Sequence, residues 1–561
     1  LEKEQSQLPL CFALAEEILT FVVSPASLII CLCVLYQGGL IAVAALCNFI
    51  AWMVRKTLQV QDSEERRYFR LFRLSLLLTA LVAWFRPEFN VWYWENIPAS
   101  PSVVLGGLSS HGVSLSIAAP GVKTATVTYE TYAKPIMVLE FDHFGMANAT
   151  IENLEPSTEY SYTVEFSMYN NVSTKPVMGS FTTLPLHTES ESTIVFASSS
   201  CAQRRLVWGK TFSGFGHVQR KNPDFFLFLG DIVYADVPRG LGYSGIGLGT
   251  NEKLFWGEYL TVRSEKNARN LFGNVPTFFQ FDDHEIYNDI PGRNADPERF
   301  DAAIESWQRY IGGVNPPSIS SNMGRYYTFQ AGLGDFFVLD TKTFRDPLEK
   351  TIIGANQLQD LGKWLGQSVS TNSSRFKFII SPVTITRNRP EKHEGWNCCL
   401  KERERVLNLT HRPGVNNVVF ITGDTHKPGV FEIASDLYEI GVSPIEAFGP
   451  RKWGERYDKV LYEETGFTTA FAIYTLSSKG LRIEIFGGGY HVRLQIFACI
   501  GIFLMFHIFV NKLMKKSFKA APLGYFVLLT SVILVLVLSV DDLTTSKSFD
   551  SPRYMMEIPL V

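Results

Sequence analysis

Four apolar runs in the middle of the chain end abruptly in residues that bind metals. STIVFASSSC stops at Cys201; DFFLFLGDIVY delivers Asp231 and, three residues on, Tyr234. VPTFFQFDDHE delivers Asp282, Asp283, His284 and Glu285, with Asn288 and Asp289 close behind, and NNVVFITGDTH delivers Asp424 and His426. Gathered at buried strand ends, such a set would be an unfavourable collection of unpaired charge, and bound cations would neutralise it. A carboxylate has two oxygens and can bridge two cations. Two metals about 3.5–4 Å apart can clamp a phosphate between them and hold hydroxide in line with the leaving oxygen. An all-carboxylate set would favour calcium or magnesium. Thiolate, phenolate and imidazole argue that at least one position takes iron or another transition metal.

These residues meet only if their strands share one layered core. From Ser192 onward, β-rich runs alternate with helical pieces over 252–264, 297–310, 356–366 and 401–409. Buried strands that carry polar residues at their carboxyl ends, with helices between, describe a layered α/β fold whose site lies at the strand tips. The glycine-rich stretch 237–249 lacks GxxxxGK[ST] and GxGxxG and reads as a loop. Upstream, residues 101–183 give short period-2 segments separated by turns, the pattern of a β-sandwich. Within them LEPSTEYSYTVEF (154–166) resembles the fibronectin type III signature, with Tyr160 or Tyr162 as the tyrosine that packs after the turn.

The chain has 561 residues, 52 Lys+Arg against 55 Asp+Glu, and a net charge of −3. That balance offers no global basic surface, so no nucleic-acid partner is expected. Charged residues are 19%, below the roughly 25% of a soluble domain, and the deficit sits at the two ends. Of 8 cysteines, five lie in apolar segments; Cys201, Cys398 and Cys399 remain in the body, which is no disulfide scaffold. Apolar segments at 18–35, 40–54 and 74–85 precede the body, and segments at 495–510 and 524–540 follow it; the third is marginal in length. Basic loops (Arg55 to Arg73, Lys512 to Lys519) lie between the second and third segments and between the last two. Kept cytosolic, they place the body in the lumen or outside the cell. Glycosylation triplets at Asn148, Asn171, Asn372 and Asn408 agree.

The soluble body resembles the PhoD-like alkaline phosphatases of the calcineurin-like metallophosphoesterase superfamily. The resemblance rests on SSSCA (198–202), GDIVYAD (230–236), FDDHEIYND (281–289), LDTKTFRD (339–346), EGWNCCLKERERVL (394–407) and ITGDTHKPG (421–429), in that order. It implies two metal ions, one iron and one calcium or other divalent cation. Cys201, Tyr234 and His426 would ligate the iron-like ion, Asp231 would bridge, and Asp282, Asp424 and Asn288 would serve the second position. His284 would help protonate the leaving group, and Arg345 would face the phosphoryl oxygens. Lys342 stands where the family more often has arginine, which weakens the case for two-armed guanidinium binding.

The expected fold class is an α/β layered metallophosphoesterase sandwich with an N-terminal fibronectin type III-like β-sandwich and helical transmembrane segments at both ends. Its parts would be a membrane region (1–95, two to three helices), the β-sandwich (100–185), a phosphatase domain (190–492), two membrane helices (495–540) and a short tail (541–561). The expected protein is multi-pass, with a binuclear phosphatase or phosphodiesterase domain using metal-bound hydroxide on a lumenal or extracellular phosphate ester. A lipid or glycolipid phosphate as partner would explain the extra apolar segments. The alternative is a weak or inactive phosphatase-fold membrane receptor or binding protein. A transporter fits less well, because the apolar segments lack paired ionisable groups. No pattern sets an oligomeric state.

Overall fold

The computed structural model describes residues 100–488, apart from 130–135, 169–174, 188–191, 204–211, 237–251, 320–323, 371–374, 388–394, 448–457 and 468, together with residues 549–560. Seven strands come first: β1 (Ser102–Gly106), β2 (Val113–Ala118), β3 (Val122–Tyr129), β4 (Ile136–Glu140), β5 (Met146–Ile151), β6 (Glu159–Met168) and β7 (Val177–Thr182). They form two antiparallel sheets, ordered β1-β2-β5 and β4-β3-β6-β7. Tyr160 closes its own turn, its hydroxyl accepting the Glu155 N–H at 2.8 Å. Tyr162 reaches outward instead and donates to the Gly273 carbonyl at 2.6 Å. Gly179 allows that approach, since a Cβ there would lie 2.2 Å from the same carbonyl oxygen. The buried Arg263 adds a second tie, donating to the carbonyls of Ser116 at 2.6 Å and Tyr310 at 2.5 Å.

The catalytic-size body is built on two further sheets. Parallel strands β8 (Ile194–Ser199), β9 (Phe225–Leu229) and β10 (Thr277–Gln280) start the first. The second holds β11 (Tyr327–Ala331), β12 (Gly334–Val338), β13 (Phe376–Ser381), β14 (Val418–Thr422), β15 (Gly429–Ala434), β16 (Leu437–Gly441) and β17 (Lys459–Glu463). The chain then returns to the first sheet with β18 (Thr469–Ser477) and β19 (Gly480–Gly488), and β20 (Tyr554–Pro559) closes its edge. The orders are β10-β9-β8-β18-β19-β20 and β11-β12-β13-β14-β16-β15-β17.

Side-chain alternation makes these sheets the inner layers of four. Phe225, Leu227 and Leu229 share one core with Phe336, Phe378 and Ile380 of the opposite sheet. Phe196 stacks on Phe225 and meets Phe336 and Phe378 edge-on, so aromatic contacts join the two sheets. The alternate residues Phe226 and Phe228 turn outward beneath helices Ser213–Arg220, Glu252–Ser264, Lys266–Phe272 and Pro297–Tyr310. Phe337, Ile379 and Phe420 do the same beneath Gly354–Ser370 and Leu400–Thr410. Strands buried on both faces read as continuous apolar runs, which is why FFLFL and VVFIT show no polar alternation.

The metallophosphoesterase-like sheet arrangement is therefore present, but the membrane part of the expected fold and location is corrected. Among the described residues no helix is long and apolar enough to cross a membrane. The five apolar segments that carried the expectation, and the glycine-rich 237–249, lie outside the described residues.

Candidate metal centre

Each of the four apolar runs delivers its polar tip at the carboxyl end of a parallel strand, three from one sheet (β8, β9, β10) and one from the other (β14). The loops are stitched to each other by backbone: Cys201 N–H donates to the Gly230 carbonyl at 3.1 Å and Ala202 N–H to the Asp231 carbonyl at 2.8 Å. Gly230 has φ 91°, and a Cβ there would lie 2.4 Å from the Asp282 Cβ, so the two carboxylate loops touch through a missing side chain. Cys201, Asp231, Asp424 and His426 all have φ between 51° and 65°. Such left-handed backbone costs about 1 kcal/mol or more per residue and collects at functional sites.

Two groups of ligating atoms result, each within 4.8 Å: Cys201, Asp231 and His426, and Asp231, Asp283 and His284. Asp231 belongs to both. Its Oδ2 lies 3.4 Å from the Cys201 sulfur and 3.4 Å from the Tyr234 hydroxyl, which is 3.1 Å from His426 Nε2. A thiol, a phenol, a carboxylate and an imidazole thus surround one point. Burial raises the proton affinities of Cys201, Tyr234, Asp231 and Asp424, and neighbouring negative groups add to it. Asp282 pairs one oxygen with Lys342 Nζ at 2.9 Å, while its buried Oδ2 has no hydrogen-bond partner. Cations suit this donor set: they offset the crowded negative charge and give the orphaned oxygen a partner. The two clusters, joined through one carboxylate, match a binuclear centre.

The supporting shell is as specific as the centre. Glu285, fully buried, accepts the N–H groups of Asp231 (2.9 Å), Ile232 (2.6 Å) and Asp282 (2.8 Å), holding both carboxylate loops at once. Asp236 pairs with His284 Nδ1 at 2.8 Å and accepts Asn288 N–H at 2.8 Å. The His284 ring lies against Tyr234, centroids 4.1 Å apart. Burial alone would lower the proton affinity of His284, but the carboxylates of Asp283, Asp231 and Asp236 outweigh it and hold it well above the usual histidine range.

Two expected site residues are not among the clustered ligands, which are cysteine, histidine and carboxylates. Asn288 is exposed, its amide donating to Asp289 at 2.9 Å, and Asp283 joins Asp231 and His284 in the second cluster. Arg345 is buried outside both clusters, beside Cys398, whose thiol is pulled down to about 7 by the Cys399 hydrogen bond and, less, by Arg345. Asp236, Glu285 and Lys342 were visible in the motifs, yet their positioning parts carry no local signal. The last residue of GDIVYAD, five positions beyond Asp231, was the nearest to one.

Burial pushes Glu285 up to about 7 and Asp282 up to about 6. A carboxyl that holds its proton more tightly folded than unfolded removes stability as pH rises, from the unfolded carboxylate value to the folded one. The metal-free protein should therefore fall behind the metal-loaded form by a margin that grows to a few kcal/mol between about pH 4 and 7. Urea denaturation with and without chelator measures it. A margin that is flat or shrinks across this window would contradict the placement of these carboxyls.

Two facing sheets with thiol, phenol, imidazole and carboxylates converging from their strand tips define a metallophosphoesterase-type centre. The model of the PhoD-like phosphatase family matches residues 196–458, and over that stretch the chain is PhoD-like. Alkaline phosphatase D of Bacillus subtilis (strain 168) is 23% identical over 49% of this chain and 52% of its own length, so the chain spans about half of that curated relative. A solved structure of PhoD overlays with a TM-score of 0.57 at 18% identity, covering 68% of this chain and 85% of that one, a likeness of fold. A fibronectin type III domain of human collagen XX covers 16% of this chain with a TM-score of 0.14 and 24% identity. That is too slight to carry the type III designation of residues 100–185, which is withdrawn; their two sheets stand on their own strand order.

Proposed function

We propose that the chain is a metal-dependent phosphoric ester hydrolase whose centre takes two cations on either side of Asp231. The observation that carries this is the pair of ligand clusters sharing that one carboxylate. When bound, two such cations lower the pKa of an attacking water and neutralise charge on the phosphoryl oxygens. Cys201, Tyr234, Asp231 and His426 suit iron, since thiolate and phenolate stabilise its trivalent state. Asp282, Asp283 and Asp424 with Asp231 suit calcium or another hard divalent cation. Asn288, exposed and tied to Asp289, is left out of this set.

His284 is proposed to hold the proton that the leaving oxygen takes. Asp236 engages Nδ1, which leaves Nε2 for the ester and fixes the ring. Arg345 sits one turn beyond Lys342, its N–H donating to the Lys342 carbonyl at 3.3 Å, and is proposed as the guanidinium for the outer phosphoryl oxygens. Monoesters and diesters both fit such a centre.

The test is elemental analysis of the purified chain, with hydrolysis of p-nitrophenyl phosphate and bis-p-nitrophenyl phosphate before and after chelation. Two cations per chain and activity lost on chelation are expected; activity untouched by complete metal removal would sink the proposal. Iron is tested separately. A visible phenolate-to-iron band should disappear in Tyr234→Phe, and a band that persists there would remove Tyr234 from the iron position.

A further inference from the structure

An amine stands beside the orphaned carboxylate of the centre. Lys342 is fully buried, as is Asp282, and the ion pair between them is 2.9 Å long. A buried ammonium on a four-carbon stem needs both a partner and a rigid anchor. The loop after β12 supplies the anchor. Asp340 Oδ1 accepts the N–H groups of Lys342 at 3.1 Å and Thr343 at 2.9 Å, and its Oδ2 accepts the Thr343 hydroxyl at 2.6 Å. Gln357 clamps the Asp340 backbone from both sides: its amide oxygen accepts the N–H at 2.9 Å, and its amide nitrogen donates to the carbonyl at 2.8 Å. Asp282 is held from its own side, its N–H bound to Glu285 at 2.8 Å.

This construction divides the work of one carboxylate. Oδ1 is taken by the ammonium, and Oδ2, buried and without a hydrogen-bond partner, is left for a cation. The ammonium charge also bears on Asp424. Resting on the two-cation proposal above, we infer that Lys342 is a positioning residue for the second metal position: it limits Asp282 to one ligating oxygen and, as a built-in positive charge, weakens and tunes divalent binding there. Two effects oppose each other when the lysine is removed. Loss of an outer-shell partner costs about 10–100-fold in metal affinity. Removal of a positive charge roughly 5 Å from a divalent ion, at an effective dielectric of about 20, favours binding by more than about 10³-fold. The charge effect wins.

Calcium titration of the full chain, by equilibrium dialysis and by the calcium-induced shift in melting temperature, tests this in Lys342→Met and Lys342→Arg. We expect Lys342→Met to bind calcium at least about 10-fold more tightly than wild type, and its metal-free form to melt lower. Lys342→Arg should stay within about threefold of wild type, because it keeps the charge. Iron content should not change in either. Calcium affinity in Lys342→Met that is unchanged or weaker overturns the inference. Should that variant fail to fold, Lys342→Gln, which drops the charge but keeps a hydrogen-bond donor, decides: tighter calcium binding than wild type supports the inference, and unchanged or weaker binding overturns it. A wild-type chain with no second cation overturns the two-cation proposal and this inference together. A wild type with two, beside an unresponsive Lys342→Met, overturns the inference alone.

Discussion

Asp231→Asn should lower phosphate-ester hydrolysis by roughly 10³-fold or more, and elemental analysis should find both cations depleted. The substitution keeps size and one good acceptor but removes a negative charge and a ligating oxygen from the residue common to both clusters. The two cations would then repel each other with less charge between them. Backbone strain is no reason for the loss, because asparagine tolerates the φ of 58° found at this position. His284→Ala should behave differently. Metal content should persist, and the rate should fall about 10²–10⁴-fold, most for esters with poor leaving groups. Equal activity in wild type and folded Asp231→Asn, across monoesters and diesters, would end the case for catalysis at this centre.

Glu285→Ala should be the most damaging change outside the ligands themselves. Three backbone N–H groups on two loops lose their acceptor in a fully buried place. At about 1–3 kcal/mol for each donor left unsatisfied, the metal-free fold should lose about 3 kcal/mol or more. The loops bearing Asp231 and Asp282 should also separate, lowering metal affinity by about 10–100-fold, as loss of outer-shell partners does elsewhere. Urea denaturation of the metal-free protein reads the first effect, and equilibrium dialysis of the variant reads the second. Glu285→Gln keeps an oxygen acceptor and should recover part of both. A Glu285→Ala variant with wild-type stability and metal content would show that the two loops are held by other means.

The likeness of residues 196–458 to the family and the layered sheets were legible because they depend on local pattern. An apolar run such as FFLFL that ends in GD marks a strand buried on both faces with a polar tip, wherever its neighbours lie. The donor types were equally legible: a thiol, a phenol, imidazoles and carboxylates state their chemistry one residue at a time. Hydropathy, also local, carried the membrane expectation, which found no matching helix among the described residues.

What the residues do to one another was decided in three dimensions. Packing of the two sheets brings the end of β14 against the end of β9, where a Cβ at Gly423 would lie 3.1 Å from the Leu229 carbonyl oxygen, so His426 meets Tyr234 across 192 positions of chain. The adjacent Asp282 and Asp283 face different partners: Lys342 engages one oxygen of the first, while the second joins Asp231 and His284. Asn288 is exposed although Asp282, Asp283 and Glu285 of the same motif are buried. Glu285, one residue beyond His284, looks like any acid of a polar loop until its three N–H partners are seen. Residue type sets which atoms can bind a cation or a proton. Which of them face one point depends on backbone turns with positive φ and on contacts between loops far apart in sequence, and neither leaves a local mark except where a glycine such as Gly230 is required.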